Sequence, residues 1–172
     1  ADVAGKVVAV IDVLRASTTI VTALAHGARV VVPFETPDEA VLRSKHYERR
    51  EIVLAGERRM RALPGFDLGN SPREFTREAV EGRTILFATS NGTPALLATQ
   101  GARDVIVVAY VNHAASLAFL RAAARGGADV TIVCAGSDRH FGLEDAACAG
   151  RLVRGLRRGR PETVLGDAAQ AC

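Results

Sequence analysis

The sequence predicts an α/β fold, arranged as three α/β/α layers around a mostly parallel sheet of about six strands. Six short apolar segments alternate along the chain with longer segments of helical periodicity, which is typical of successive βαβ units. The first apolar segment, residues 7–11, lacks the alternating pattern of a half-solvated strand. It therefore indicates a strand that is buried on both faces, as in the parallel sheets of α/β proteins.

Length and composition predict one domain with an aliphatic core. The chain has 172 residues, of which 48% are hydrophobic, and it contains no Trp and only 2 Tyr. We therefore expect a single α/β domain over residues 1–172, with a core of Val, Leu, Ile and Ala. Residues 159–172 begin what reads as another element and then stop abruptly, so we also expect the chain to be truncated at its C-terminus.

Charge and cysteine content limit the partners and the compartment. The formal net charge of +3 is small and the Arg residues are scattered, which argues against nucleic acid as a partner. The 3 Cys residues show no zinc-ligand spacing and indicate a reducing compartment, hence a cytoplasmic location. No apolar run is long enough for a membrane span and the N-terminus has no signal-peptide pattern, so we expect no membrane partner. The expected oligomeric state is a homodimer.

The first strand is followed by the residues of greatest chemical interest. Asp12 comes directly after this strand, and open α/β sheets bind their ligands at the carboxyl ends of strands. Ser17, Thr18 or Thr19 is expected to cap the helix that follows. Together with Arg15, the free amides of that helix start and the Asp12 carboxylate predict an anion and metal site.

The remaining strands and helices follow in alternation. The predicted strands span residues 29–34, 51–55, 84–88, 104–110 and 129–134. Residues 36–39 and 71–74 match the capping box, which predicts helix starts at both places and a second helix that ends at Gly82. Residues 65–72 have no helical or strand period, and a long loop of this kind inside a compact domain commonly serves a function.

Four predicted strand ends carry polar clusters toward one edge of the sheet. These clusters are Asp12 with Arg15, Glu57 with Arg58, residues 89–93, and residues 136–145. Each also has a plain structural explanation, because hydroxyls and Asp begin helices, Asn-Gly forms turns, and adjacent acids favour a helix start. The pairing of Asp12 with Glu144 and Asp145 across the edge raises Mg²⁺ as a hypothesis, since Mg²⁺ takes one or two protein carboxylates and completes its shell with water and phosphate.

Familiar nucleotide-binding and phosphatase motifs are absent from the sequence. Neither the G-x-x-x-x-G-K-[ST] phosphate loop nor the G-x-G-x-x-G dinucleotide turn occurs, so nucleoside triphosphates and NAD lose their main support as ligands. Leu14 stands where the D-x-D motif of haloacid-type phosphatases needs a second Asp.

Five motifs occur in a fixed order along the chain. They are VIDVLRASTTIVTAL, LAGER, GFDLGNSP, TSNGT, and CAG followed by F-x-LED-x-x-CAG. In this order they resemble the 2-phosphosulfolactate phosphatases of coenzyme M biosynthesis, over residues 7 to about 150. The resemblance implies an α/β fold and a Mg²⁺-dependent hydrolase that converts 2-phospho-3-sulfolactate to 3-sulfolactate and phosphate. Ser90 departs from similar sequences, which often have a second Thr, and the chain ends earlier than the family pattern does.

The site residues that the resemblance implies lie within these motifs. They are Asp12, Arg15, Ser17, Thr18, Glu57, Arg58, Asp67, Asn70, Ser71, Asn91, Gly92, Thr93, Glu144 and Asp145. We assign Asp12, Glu144 and Asp145 to Mg²⁺. We assign Asp12, Arg15 and Glu57 to catalysis, with Arg15 stabilising the transferring group and Glu57 orienting water.

The substrate that the resemblance implies carries phosphate, sulfonate and carboxylate, and such a polyanion needs arginines, free helix amides and a metal. For its binding we assign Ser17, Thr18, Arg58, Asn70, Ser71, Asn91, Gly92 and Thr93. Three alternatives stay open from the sequence. Asp12 acts as a covalent nucleophile instead of assisting direct water attack; the substrate is another small phosphorylated hydroxy acid; or the domain binds a phosphorylated or sulfonated metabolite without catalysis.

Overall fold

The fold of this chain, taken from a computed structural model, is described for residues 2–138, 140–159 and 162–172. The strands within these residues are β1 (Val7–Ile11), β2 (Val30–Phe34), β3 (Ile52–Arg58), β4 (Arg61–Ala62), β5 (Thr84–Ala88), β6 (Asp104–Val108) and β7 (Val130–Cys134). The α-helices are α1 (Ala16–Ala25), α2 (Pro37–Ser44), α3 (Arg77–Val80), α4 (Gly92–Leu97), α5 (His113–Arg125), α6 (Leu143–Arg157) and α7 (Asp167–Gln170). Short 3₁₀ helices span Arg49–Glu51, Pro72–Glu74 and Tyr110–Asn112.

The strands divide between two sheets. One sheet has the order β6-β1-β7, and the other has the order β2-β5-β3-β4. All neighbouring strands run parallel except for the short β4, which pairs antiparallel with the end of β3. The chain therefore leaves the first sheet after β1, enters the second through α1, and returns to the first with β6.

Helices α1 and α4 lie between the two sheets. Ile20 and Ala23 of α1 belong to one apolar cluster with Phe87 of β5, and Val107 of β6 packs against the same cluster. On its other face, the four-stranded sheet is covered by α2, whose Ala40 packs with residues of β3 and β5. Helices α5 and α6 cover the outer face of the three-stranded sheet through clusters of aliphatic side chains. The order of layers is thus α2, sheet, α1 with α4, sheet, and α5 with α6.

The α/β class and the mostly parallel pairing are confirmed, and the six predicted strands all form. The structure differs from the predicted arrangement in that two sheets, rather than one, are interleaved with the helices. Strands β1 and β5 are buried at every position, because each has helices on both of its faces. A strand inside one central sheet would also be apolar on both faces. The residue pattern is therefore the same for one sheet as for two.

Helix starts agree with the sequence in one place and differ in two. Thr36 and Glu39 form the predicted capping box of α2. The capping box predicted at Ser71 is wrong, because Glu74 instead accepts a hydrogen bond from Gly69 N–H, and the chain forms a 3₁₀ turn followed by the one-turn helix α3. The predicted cap of α1 is also wrong, since Arg15 occupies the N-cap position and no side chain caps that helix.

No helix in the described part of the chain combines the length and the apolar character that crossing a membrane requires.

Candidate functional site

The carboxyl ends of strands from both sheets meet at one place. Gly92, which follows β5, packs so closely on the loop after β1 that a Cβ added to it would lie 2.6 Å from Asp12 Oδ2 and 2.4 Å from Ala16 Cβ. The Asn91 side chain accepts a hydrogen bond of 3.0 Å from the N–H of Asp138, in the loop after β7. Residues from three strand ends are thereby joined, and they define the candidate site.

Asp12 is the most perturbed acid of this site. It is only 7% exposed, and its carboxylate accepts a hydrogen bond from the backbone N–H of Ala16. The pKa of Asp12 is raised to about 7, mainly by burial and also by the nearby acids Asp145, Glu57 and Glu144, against the lowering effect of that single hydrogen bond. No ion pair involving Asp12 occurs among the described residues. Within the described residues, the charge of an ionised Asp12 is therefore stabilised by the hydrogen bond from Ala16 and by no ion pair.

The hydroxyl groups of α1 hold the loop around Asp12. Ser17 Oγ accepts a hydrogen bond of 2.9 Å from the N–H of Asp12 and donates to the carbonyl of Val10. Thr18 Oγ1 donates to the carbonyl of Val13 at 2.7 Å. Both predicted substrate-binding hydroxyls thus have protein partners, and their observed contacts shape the loop between β1 and α1.

Asp145 joins the loops that follow β1 and β7. It is 1% exposed, and its Oδ1 and Oδ2 accept hydrogen bonds from the N–H groups of Val13 and Gly136 at 2.8 and 2.9 Å. Burial raises the pKa of Asp145, while these two backbone donors lower it. Its neighbour Glu144 is half-buried and contributes to the high pKa of both Asp12 and Asp145. The three carboxylates assigned to Mg²⁺ therefore interact with one another.

The chemistry of this donor set fits a divalent cation. Asp145, Glu57 and Glu144 each repel a charge on Asp12, and Glu144 also repels a charge on Asp145. A bound cation would relieve this repulsion. Nowhere in the described ranges are three or more His, Cys, Asp or Glu residues grouped so that they could jointly hold a metal ion. Asp12, Glu144 and Asp145 are therefore not grouped as a three-ligand metal site, and Mg²⁺ held by one or two of these carboxylates, with water and phosphate completing its shell, stays a prediction.

Glu57 lies at the end of β3 with the same exposure as Asp12, 7%, but with many donors around it. Its Oε1 accepts a hydrogen bond from Ser90 N–H at 2.7 Å, and its Oε2 accepts from Met60 N–H at 2.8 Å and from Ser90 Oγ at 3.2 Å. The carboxylate therefore ties the β3–β4 turn to the loop after β5. Its predicted role in orienting water stays a prediction beside this structural one.

The two arginines assigned to the site differ in their partners. Arg58 donates to the backbone carbonyls of Thr89 and Glu35, so its guanidinium joins two loops of the four-stranded sheet. Arg15 is half-buried at the N-cap of α1, and its guanidinium makes no hydrogen bond or ion pair within the described ranges. Arg15 is therefore the better placed of the two to pair with an incoming anion.

The loop after β5 is held by paired threonines. Thr93 Oγ1 accepts from Thr89 N–H at 3.0 Å, and Thr93 N–H donates to Thr89 Oγ1 at the same distance. Thr93 Oγ1 also donates to the Thr89 carbonyl. Among the residues assigned here to substrate, Thr93 and Asn91 thus have protein partners, and Gly92 brings the backbone close to Asp12.

The polar loop before α3 runs along β3. Its residues Asp67, Asn70 and Ser71, which the resemblance implies as site residues, therefore lie in different surroundings. Asn70 is 5% exposed, its backbone carbonyl accepts a hydrogen bond from Thr19 Oγ1 of α1, and its Oδ1 has no hydrogen-bond partner among the residues that the structure describes. Ser71 is half-buried and caps nothing. Asp67 lies away from the site, because its Oδ2 accepts from Leu54 N–H in the middle of β3 and its Oδ1 pairs with Arg49.

Three residues that build the site lie in the predicted polar clusters at 89–93 and 136–145 but are not among the assigned site residues. Thr89 and Ser90 supply hydrogen bonds to Thr93 and Glu57, and Asp138 supplies the backbone donor to Asn91. Thr89 and Ser90 belong to the polar cluster after the fourth predicted strand, so that cluster was the available signal. The backbone contact of Asp138 has no signal in the residue types.

The chain was compared with known proteins. The family model described as 2-phosphosulpholactate phosphatase matches residues 1–172. Three similar curated proteins each carry the name "Probable 2-phosphosulfolactate phosphatase".

The protein from Symbiobacterium thermophilum is 46% identical over 152 residues, which is 88% of this chain and 64% of that protein. The one from Caldanaerobacter subterraneus subsp. tengcongensis is 40% identical over 156 residues, 91% of this chain and 64% of the relative. The one from Thermotoga maritima is 39% identical over 162 residues, 94% of this chain and 66% of the relative. The matched region thus spans just under two thirds of the length of these relatives.

Proposed function

The chain belongs to the 2-phosphosulpholactate phosphatase family, and from this premise we propose that it takes part in the Mg²⁺-dependent hydrolysis of 2-phospho-3-sulfolactate to 3-sulfolactate and phosphate. The names of the curated relatives support the reaction class, a phosphoric monoester hydrolase. A place in coenzyme M biosynthesis is part of the proposal.

One observation carries the proposal. Asp12 is buried at the junction of the two sheets, surrounded by acids, and no described cation pairs with it. A carboxylate in such surroundings is costly unless a cation or a proton joins it. Metal-assisted phosphoryl transfer uses a site of this kind, because most of its catalysis consists of positioning and charge neutralisation.

The residues of the chain have separate tasks in this proposal. Asp12, with Glu144 or Asp145, would hold Mg²⁺, which neutralises charge on the transferring phosphoryl group when it is bound. Arg15 pairs with the phosphate or sulfonate oxygens through its unengaged guanidinium. Asp145 keeps the loops after β1 and β7 at a fixed separation through its two backbone hydrogen bonds. Gly92 leaves the room beside Asp12 Oδ2 that any side chain would fill.

Two routes for the attack are consistent with these positions. Either water attacks phosphorus directly, with a carboxylate such as Glu57 orienting it, or Asp12 forms an aspartyl phosphate that water then hydrolyses. Trapping of a phosphoenzyme under single-turnover conditions separates them. In oxygen-labelled water, attack at phosphorus places the label in the released phosphate by either route, so label in the phosphate with no trappable phosphoenzyme indicates direct attack, and a trapped phosphoenzyme indicates the covalent route.

The test is phosphate release from 2-phospho-3-sulfolactate, measured after removal of divalent cations by a chelator and again after Mg²⁺ is restored. We expect release to stop with chelator and to return with Mg²⁺. Undiminished release in chelator would overturn the metal dependence. Binding of the substrate without release under all conditions would favour a non-catalytic binding domain, and release from other phosphorylated hydroxy acids at a higher kcat/KM would correct the substrate.

The proposal extends to the cellular location, the partners and the oligomeric state of the protein. Cys134, Cys148 and Cys172 are all free thiols, which supports a cytoplasmic location. A small phosphorylated metabolite is the proposed partner, and neither nucleic acid nor a membrane is needed for the reaction. The expected homodimer stays a prediction that sedimentation analysis checks.

A further inference from the structure

A cavity with arginines around an apolar floor lies at the opposite end of the four-stranded sheet from the candidate site. Its volume is about 510 Å³, and its basic lining consists of Arg49, Arg50 and Arg83. These residues precede β3 and β5, whereas Glu57 and Thr89 lie at or beyond the other ends of the same strands. A strand of five residues spans roughly 17 Å, so this cavity is separate from the site around Asp12.

The floor of the cavity is apolar. Val53, which is 2% exposed, forms it together with Leu68 and Ala79. Leu68 comes from the loop that pairs with β3, and Ala79 comes from α3. The volume lies within the range of small-molecule sites, which combine an apolar lining with a few polar groups that fix orientation.

The charges around the cavity are mostly positive. Asp67 is the one acid in its lining, and it is already paired with Arg49. Arg50 pairs with Glu48, outside the lining, at 2.8 Å. Arg83 is half-buried, and its guanidinium has no hydrogen bond or ion pair in the part of the chain that the structure describes. A half-buried guanidinium with no carboxylate partner, beside apolar surface, is suited to an oxyanion attached to a hydrocarbon or aromatic body.

We propose that this cavity binds an organic anion, with its phosphate, sulfonate or carboxylate on Arg83 and its apolar body on Val53, Leu68 and Ala79. The proposal does not depend on the proposed function, since none of these residues belongs to the site around Asp12. It adds a second, non-catalytic ligand site to the domain.

The probe for this proposal is 8-anilinonaphthalene-1-sulfonate, which joins a sulfonate to an aromatic body and fluoresces when it is bound. We expect one equivalent to bind to the folded wild-type protein. Arg83→Gln is expected to weaken binding about tenfold, since hydrogen bonds to charged groups contribute that much. Arg154→Gln, an exposed arginine on α6, is the matched control and is expected to leave the affinity unchanged.

Two further measurements separate the charge from the apolar floor. The uncharged analogue N-phenyl-1-naphthylamine is expected to bind more weakly than the sulfonate and to be insensitive to Arg83→Gln. Ala79→Leu, which fills the cavity without changing its charge, is expected to abolish binding of the sulfonate while circular dichroism shows an intact fold. Equal affinity of wild type and Arg83→Gln for the sulfonate, equal affinity of both probes for wild type, or no binding at all would overturn the proposal.

Discussion

Asp12 and Glu57 are both 7% exposed. Asp12 follows β1 of the three-stranded sheet and Glu57 lies at the end of β3 in the four-stranded sheet, but the two carboxylates have different numbers of hydrogen-bond donors around them. Glu57 accepts three hydrogen bonds from neighbouring groups, whereas the Asp12 carboxylate accepts one from Ala16 and lies among three other acids. Burial alone therefore does not distinguish a structural acid from a reactive one. The supply of donors does, because each hydrogen bond to a carboxylate stabilises its charged form.

The comparison extends to the two sheet ends. Around β3 and β5, the polar groups are largely matched to one another, as with Thr89 and Thr93 or Arg58 and its two carbonyls. Around β1, the carboxylate of Asp12 and the guanidinium of Arg15 are left without counter-charges in the described residues. The first region builds the wall of the site, and the second supplies its unpaired charge.

The largest expected effect comes from removing the charge of Asp12. Asp12→Asn should lower kcat for phosphate release by about a thousandfold, within the range that a positioned acid or base contributes. The folded state should persist, since Asn preserves the size of the side chain. Asp104→Asn, at a surface acid paired with Arg103, is the control and should keep full activity. Near-normal turnover by Asp12→Asn would remove Asp12 from the mechanism.

The next effect tests the close approach between the sheet ends. Gly92→Ala should reduce activity about a hundredfold, because its Cβ would overlap Ala16 Cβ and Asp12 Oδ2 and force the reacting groups apart. Gly166→Ala is the matched control, since a Cβ there meets nothing within 4 Å and its φ of −69° suits alanine. Equal activities of the two variants would show that the site tolerates a Cβ at position 92.

Glu57→Gln distinguishes a structural acid from a catalytic one. If the main role of Glu57 is to accept hydrogen bonds, Glu57→Gln should lower the free energy of unfolding by about 1–3 kcal/mol, because one side of the new amide is an NH₂ group that cannot accept from the backbone donors. Activity should then fall only about tenfold. Glu81→Gln, which breaks an exposed ion pair with Arg77, should change stability by less than about 0.5 kcal/mol. A loss of activity above a hundredfold at unchanged stability would instead support Glu57 as the group that orients water.

A further effect, on stability and not on activity, is a pH dependence in the metal-free protein. The pKa of Asp12 is raised from 3.8 to about 7 in the folded state, so the folded chain holds a proton that the unfolded chain has lost between these values. The stabilisation from this proton is full below pH 3.8 and is lost as the pH rises through 7. Asp12→Asn lacks this loss, and above pH 7 it should exceed wild type by roughly 4 kcal/mol in the free energy of unfolding, at about 1.4 kcal/mol for each unit of the pKa shift.

Chemical denaturation of both proteins in chelator, at several pH values between 4 and 8, measures the difference. Added Mg²⁺ should raise the stability of wild type more than that of Asp12→Asn, because ligand binding to the folded state stabilises it. A difference between the two proteins that does not vary with pH would show that Asp12 has an ordinary pKa.

The residue pattern was sufficient for the strands and for much of the site. All six predicted strands form, and three of the four predicted polar clusters follow strands as expected, whereas Glu57 and Arg58 are the last two residues of β3 itself. The short β4 was missed, because two exposed residues carry no hydrophobic period. The capping boxes were harder to interpret, since Thr36 and Ser71 begin similar motifs but only Thr36 caps a helix. The loop around Gly69 takes the Glu74 carboxylate away from the second motif.

The sequence by itself determined the α/β class, the positions of the strand ends and the family, because these depend on local periodicity and on residue types in a fixed order. The tertiary structure alone decided that the strands form two sheets, and that Asp145 holds Val13, 132 residues away, while Glu57 holds Ser90. It also decided which charges have no counter-charge in the described part of the chain, at Asp12, Arg15 and Arg83. The physical reason is that hydrogen bonds and charge pairs depend on distances between groups remote in sequence, which residue identity does not specify.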